Sequence, residues 1–251
     1  MRGIDISAGS KVDFHALKNA GYEFVIARAG WGSFAKQKDG DFHDNVMKAL
    51  AAGLHVGAYW FMYFRNLPEA QQNAVAFNEV LEPYRGMIDM PVYFDYEGDT
   101  TRYYEQNSGK KETKDLATSA LSIAGYQMEK YGWYTGYYCN LDYMKNRFIV
   151  DDLEHFTRWL ALWSSKKPST PCAIWQSAGD VKIKEAAGKV DLNECYVDFP
   201  TTIRRNGLNG FTPNQEPQTV GVNEIVDKGD QWEIVKQGGE VTIKLRGGVK
   251  T

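Results

Sequence analysis

Two acidic residues raise the first chemical question. In Pro91-Val92-Tyr93-Phe94-Asp95-Tyr96-Glu97 a strand-forming run ends on Asp95 and Glu97. Residues two apart on a strand share a face and lie roughly 6–7 Å apart along it. Carboxyls that close resist joint ionisation, so one is expected to hold a proton near neutral pH. A protonated carboxyl beside an ionised one is what a glycosidase needs to protonate a leaving oxygen. A solvated pair at a strand end, or a Mg²⁺ or Ca²⁺ site, is left open by spacing alone. Asp5 follows Gly3-Ile4 in a strand expected to be buried, where an aspartate needs a partner or caps the next segment through Ser7. Asp191, in Val190-Asp191-Leu192-Asn193, reads by itself as a turn residue. Arg28 closes an apolar strand and is expected to meet a carboxylate. Tyr59, Tyr138, Trp163 and Trp175, taken singly, read as core.

Other chemistries lack their residues. His15, His43, His55 and His155 form no HxxxH pair for zinc. There is no G-x-S-x-G for a serine hydrolase and no phosphate-binding G-x-x-x-x-G-K-[ST]. Cys139, Cys172 and Cys195 form no CxxC pair and read as core thiols. No cofactor and no metal is expected. The net charge of −3 does not fit a nucleic-acid binder. No apolar run approaches 18 residues, so no membrane insertion is expected. The first residues lack the pattern of a signal peptide. The 34 aromatic residues (7 Trp, 15 Tyr, 12 Phe) suit sugar faces as well as cores.

The elements that would position these residues alternate along the chain. Strand-like runs are Gly3–Ile6, Glu23–Ala29, His55–Phe61, Pro91–Glu97, Tyr134–Cys139, Trp159–Trp163, Ala173–Gln176 and Lys189–Leu192. Helical patterns cover Asp13–Ala20, Phe42–Ala52, Pro68–Leu81, Thr113–Tyr131 and, more briefly, Asp151–Thr157. Gly21, Gly53 and Gly132 stand where left-handed helix ends are expected. The first five strand starts leave room for crossover helices and the last three do not. The expected fold is therefore α/β: an irregular (β/α)5(β)3 TIM-like barrel with a short C-terminal β-rich extension. An open doubly wound sheet is the alternative, but no GxGxxG follows the first strand. Residues 1–200 are assigned to the barrel, 201–219 to a linker and 220–251 to a small β-hairpin extension. That extension is expected to brace the barrel, pair subunits or bind cell wall.

Eight pieces in order resemble glycoside hydrolase family 25, the Chalaropsis-type lysozymes, from Gly3 to about Tyr196. They are Gly3-Ile4-Asp5-Ile6-Ser7, Phe24–Gly30, Gly57-Ala58-Tyr59-Trp60-Phe61, Pro91–Glu97, Gly136-Tyr137-Tyr138-Cys139, Leu160–Trp163, Ile174-Trp175-Gln176 and Val190–Asn193. The resemblance implies cleavage of the β-1,4 bond between N-acetylmuramic acid and N-acetylglucosamine in bacterial peptidoglycan. It implies Glu97 as general acid/base, Asp95 as its companion, and Asp5 and Asp191 completing the acidic cluster. Arg28, Tyr59, Phe61, Tyr138, Trp163 and Gln176 would line the cleft. A place in the host cytoplasm before release, as for a phage endolysin, or outside the cell by another route, is expected with it. Two departures are expected near the cleft. Ala8-Gly9-Ser10 stands where relatives carry aromatic-Gln-Gly, and Trp60 stands where many carry His. A chitinase-like hydrolase would need Asp in place of Met90 and Tyr93. An inactive sugar-binding barrel is the other alternative, against which the four carboxyls stand.

Overall fold

A computed structural model describes residues 1–213 and, beyond them, residues 225–228, 232–237 and 240–245. Eight strands close a barrel in chain order. They are β1 (Arg2–Ile6), β2 (Phe24–Trp31), β3 (His55–Phe61), β4 (Val92–Asp95), β5 (Thr135–Asn140), β6 (Thr157–Ala161), β7 (Ile174–Lys182) and β8 (Lys189–Cys195). Neighbours from β1 through β7 run parallel, whereas β8 runs antiparallel to both β7 and β1. Helices α1 (Phe14–Asn19), α2 (Phe42–Ala51), α3 (Leu67–Leu81), α4 (Gly98–Ser108), α5 (Lys114–Lys130) and α6 (Leu141–Arg147) fill the first five crossovers. None separates β6, β7 and β8. This is the irregular barrel expected from the spacing.

Helix starts follow local chemistry. Asp13, Asn66 and Thr113 each accept an amide N–H three residues on, at 3.0, 2.9 and 3.2 Å. Gly53 follows α2 with φ 74°, a conformation that costs glycine nothing. Three elements differ from expectation. Asp151–Thr157 is no helix: a 3-10 turn covers Val150–Leu153 and β6 starts at Thr157. The sequence pattern does not signal helices α4 and α6; α4 is polar along most of its length, which hides its apolar face.

Residues 201–213 are not a linker. α7 (Phe199–Arg205) sends Phe199 and Ile203 into the cluster that holds Phe24, Met90 and Ile174, closing the end of the barrel where the strands begin. Its Arg204 reaches buried Asp89 at 2.9 Å. Asn209, fully buried, donates to the carbonyls of Ile88 and Met90 at 3.0 and 3.1 Å and accepts from the Tyr134 amide at 2.7 Å. The compact unit ends at Pro213, and residues 214–251 form a second unit. There β9 (Ile225–Lys228), β10 (Trp232–Gln237) and β11 (Glu240–Leu245) make an antiparallel sheet in the order β11-β10-β9. Turn-rich composition around Asn206-Gly207 suggested a loop; the side-chain bonds of one asparagine, invisible to composition, make it part of the barrel. Asn209→Ala, stripping three hydrogen bonds from buried backbone, should cost about 3 kcal/mol or more in denaturant unfolding. A loss below ~1 kcal/mol would mean that this segment does not close the barrel.

Candidate active site

The carboxyl ends of the strands bring most of the singled-out residues together. Asp5 on β1 lies opposite Asp191 on β8, and Asp95 on β4 lies opposite Tyr138 on β5 and Phe61 on β3. Glu97 follows at the start of α4. The strand alternation around them holds: Tyr96 turns away, fully buried, and donates its hydroxyl to Glu112 Oε1 at 2.6 Å. Asp95 and Glu97 are therefore left on the inner side.

Gln176 is the hub. Its Nε2 donates to Asp5 Oδ2 at 3.0 Å and to Asp191 Oδ2 at 3.2 Å, while its Oε1 accepts from the Tyr138 hydroxyl and the Trp163 indole, each at 3.0 Å. Four partners of defined polarity fix the amide's orientation. A second amide supports it: Asn193 Nδ2 donates to Asp5 Oδ2 at 2.7 Å, and its Oδ1 accepts from Trp159 Nε1 at 2.8 Å. Trp159 is the floor, in ring contact with Tyr59, Tyr93 and Tyr138. The other flank holds Tyr59 and Arg28. The Arg28 guanidinium meets buried Asp39 at 2.7 Å, the carboxylate partner that its position implied.

Burial sets the protonation of the acidic group. It pushes Asp5 up to about 7, with the Asp191 charge adding to it. Burial also lifts Asp95 well above the ordinary carboxyl range, reinforced by Glu97 and Asp5. Glu97 rises through burial and the Asp191 charge, and Asp191 through burial. Asp5 and Asp191 have amide donors; among the described residues none reaches buried Asp95 Oδ1. The pair is thus no solvated strand end. Among the described residues no group of three or more His, Cys, Asp or Glu side chains is placed to hold a metal ion. A cavity of about 450 Å³ opens beside Glu97 and Tyr138, with Asp142 and the largely exposed Trp163 on its wall.

Two expectations change. Trp60 does not lie at the cleft: fully buried, it stacks on Phe77 of α3 and donates to the Gly32 carbonyl at 2.8 Å. Trp163 lies beyond β6 and not within it. The sequence reading missed Asn193, Trp159 and a break in β7. There the register with β8 shifts, Asp180 takes φ 59°, and its amide donates to Asp191 Oδ1 at 2.8 Å. Beside it Gly179 lies under Trp163, where a Cβ would come within 2.1 Å of the ring.

A barrel that gathers buried carboxyls at its strand ends under an aromatic wall is that of a glycoside hydrolase. The chain belongs to glycosyl hydrolases family 25, whose family model matches residues 4–186. Solved structures share the fold. The CTP1L endolysin is 24% identical with a TM-score of 0.65, over 80% of this chain and 68% of that one. A family 25 glycosyl hydrolase from Bacillus anthracis is 21% identical with a TM-score of 0.65, over 80% and 91%. The modular autolysin LytC from Streptococcus pneumoniae, solved in complex with a synthetic peptidoglycan ligand, is 20% identical with a TM-score of 0.63, over 76% of this chain and 46% of that one. The chain thus spans about half the length of that autolysin. A search of curated protein sequences gives no match.

Gly179→Ala should push the Trp163 ring away and free its indole N–H from Gln176. In the two-dimensional NMR spectrum that indole resonance should shift and its exchange with water should quicken. An unmoved resonance would show that Gly179 does not place the ring.

Proposed function

We propose that the protein is a lysozyme-type N-acetylmuramidase that hydrolyses the β-1,4 bond between N-acetylmuramic acid and N-acetylglucosamine in bacterial cell walls. The observation that carries this is the cluster of buried Asp5 and Asp95 with half-buried Glu97 and Asp191, all raised in pKa, in a family 25 barrel. The peptidoglycan ligand solved with the related autolysin supports the same substrate. Glu97 is the general acid. The Tyr138 hydroxyl donates to Gln176 Oε1 beside Glu97; burial and the Asp191 charge favour the protonated glutamic acid and outweigh the opposing contact with Tyr138.

The chemistry follows from the positions. Glu97 gives its proton to the glycosidic oxygen as the bond to the anomeric carbon breaks. The substrate's 2-acetamido oxygen attacks that carbon and forms a cyclic cation. Asp95 accepts the acetamido N–H on a carboxyl oxygen and turns the acetamido oxygen toward the anomeric carbon. Glu97, now ionised, takes a proton from the water that opens the ring and returns to its starting state. Asp5 and Asp191 keep the local potential negative; Gln176 and Asn193 hold them in place. Arg28, Tyr59, Phe61, Tyr138 and Trp163 line the path of the sugars. The action is on the wall, after release from a host cytoplasm as for an endolysin or after another route outward. No described helix is long and apolar enough to cross a membrane. For residues 220–251 the proposed role is bracing or self-association, ahead of wall binding.

Turbidity of purified cell walls tests the assignment. Glu97→Gln should lose roughly 10²–10⁴-fold in rate with its fold intact. Wild-type activity should fall as pH rises through the raised Glu97 pKa, because the acid form is lost there. Equal lysis by wild type and variant would remove Glu97 from the mechanism. Fragments ending in reducing N-acetylglucosamine would contradict muramidase action.

A further inference from the structure

A second concavity, of about 340 Å³, opens on the same end of the barrel, on the flank away from Trp163. The mechanism uses none of it. Trp31, at the end of β2, Phe34, Tyr63 and Tyr103 supply its aromatic wall, and Arg65 and Glu69 its polar edge. Phe34 is 61% exposed, an uncommon position for a phenylalanine with no work to do at the surface.

The pocket is built in advance. Fully buried Asn73 donates to Ser33 Oγ at 3.2 Å and to the Tyr63 carbonyl at 2.9 Å, and accepts from the Tyr63 amide at 3.3 Å. It thereby fastens the loop after β2 to the segment after β3. Phe34 and Gln37 close that loop on itself, the Phe34 amide donating to Gln37 Oε1 at 3.0 Å. Trp60, absent from the cleft, serves this wall: its indole holds the Gly32 carbonyl. A preformed wall costs little ordering on binding.

The pocket also continues the candidate active site. Phe61 lies opposite Asp95 in the sheet, its ring is 4.9 Å from that of Tyr63, and Tyr63 is 5.0 Å from Tyr103. Rings thus run from the carboxyl cluster into the pocket. Aromatic faces pack on the C–H faces of pyranose rings. The charge balance narrows the ligand. Arg65 is bound through Nε and through its amide to the Glu69 carboxylate, both at 2.8 Å, so its charge is compensated. That suits a neutral sugar with hydroxyl and acetamido groups, and does not suit the free carboxylate of a peptide.

We propose that this pocket binds a neutral N-acetylhexosamine unit of the same glycan strand, one beyond the two sugars at the scissile bond. The proposal rests on the glycan reading above and extends it. Its volume is at the small end of ligand pockets, matching one sugar unit.

The test compares wild type with a Phe34→Ala/Tyr103→Ala variant on peptide-free glycan strands from peptidoglycan. Long strands and the shortest oligosaccharide that the wild type cleaves are run side by side, with release of reducing ends as readout. Loss of two ring contacts should raise KM on long strands about tenfold or more with kcat little changed. The shortest substrate should show less than about a twofold change. Phe34→Tyr, keeping a ring face, should behave as wild type. Equal losses on long and short substrates, or no loss on either, would overturn the proposal while leaving the glycan reading in place. A wild type that cleaves neither overturns both.

Discussion

Everything in this protein is arranged around four acidic side chains that do not want to be together. Three sit on barrel strands and one just beyond, Asp5 and Asp95 buried and Glu97 and Asp191 half-buried, and Arg28, bound to Asp39, only partly offsets the burial of Asp95. Two relief routes exist in such a case, protonation and hydrogen bonding to the ionised form. Asp5 and Asp191 are served by amide donors, while Asp95 has none on Oδ1 and is pushed well toward its acid form. The asymmetry divides the labour between groups that hold charge and groups that hold a proton.

The barrel supplies that asymmetry through its irregular end. Because β8 runs antiparallel, Asp191 faces Asp5, and Asn193 lies two residues further along the same strand, level with Gly3 of β1. The absence of helices between β6, β7 and β8 leaves Trp163 and the β7 break close to Gln176. Trp159 underneath is oriented by packing against three tyrosines, and it orients Asn193, which orients Asp5. Order passes upward from the packed floor to the chemistry, as a preorganised site requires.

How much of this could be read from the sequence depended on what kind of signal each part left. Asp95 and Glu97 were legible because strand alternation is a local rule. The five-plus-three pattern was legible because crossovers need length. The hub was only half legible: Gln176 stood out as a strand-end residue, but its four partners come from β1, β5, β8 and the segment after β6, which no local pattern links. Trp60 was misplaced near the cleft because its neighbours Tyr59 and Phe61 belong there, and alternation sends Trp60 to the other side. Asn209 and Gly179 left no signal, since their roles consist of contacts with carbonyls and a ring far away in sequence.

The claim that a proton is retained in this crowded acidic group can be observed directly. Carboxyl carbons of aspartate and glutamate, labelled with ¹³C and assigned by substitution, would be titrated by NMR in the folded protein. Asp5 should titrate near 7, with Asp95 still protonated where an ordinary aspartic acid has long been ionised. If all four carbons reported ionisation near pH 4, the barrel would not be holding the acid on which the proposed chemistry depends.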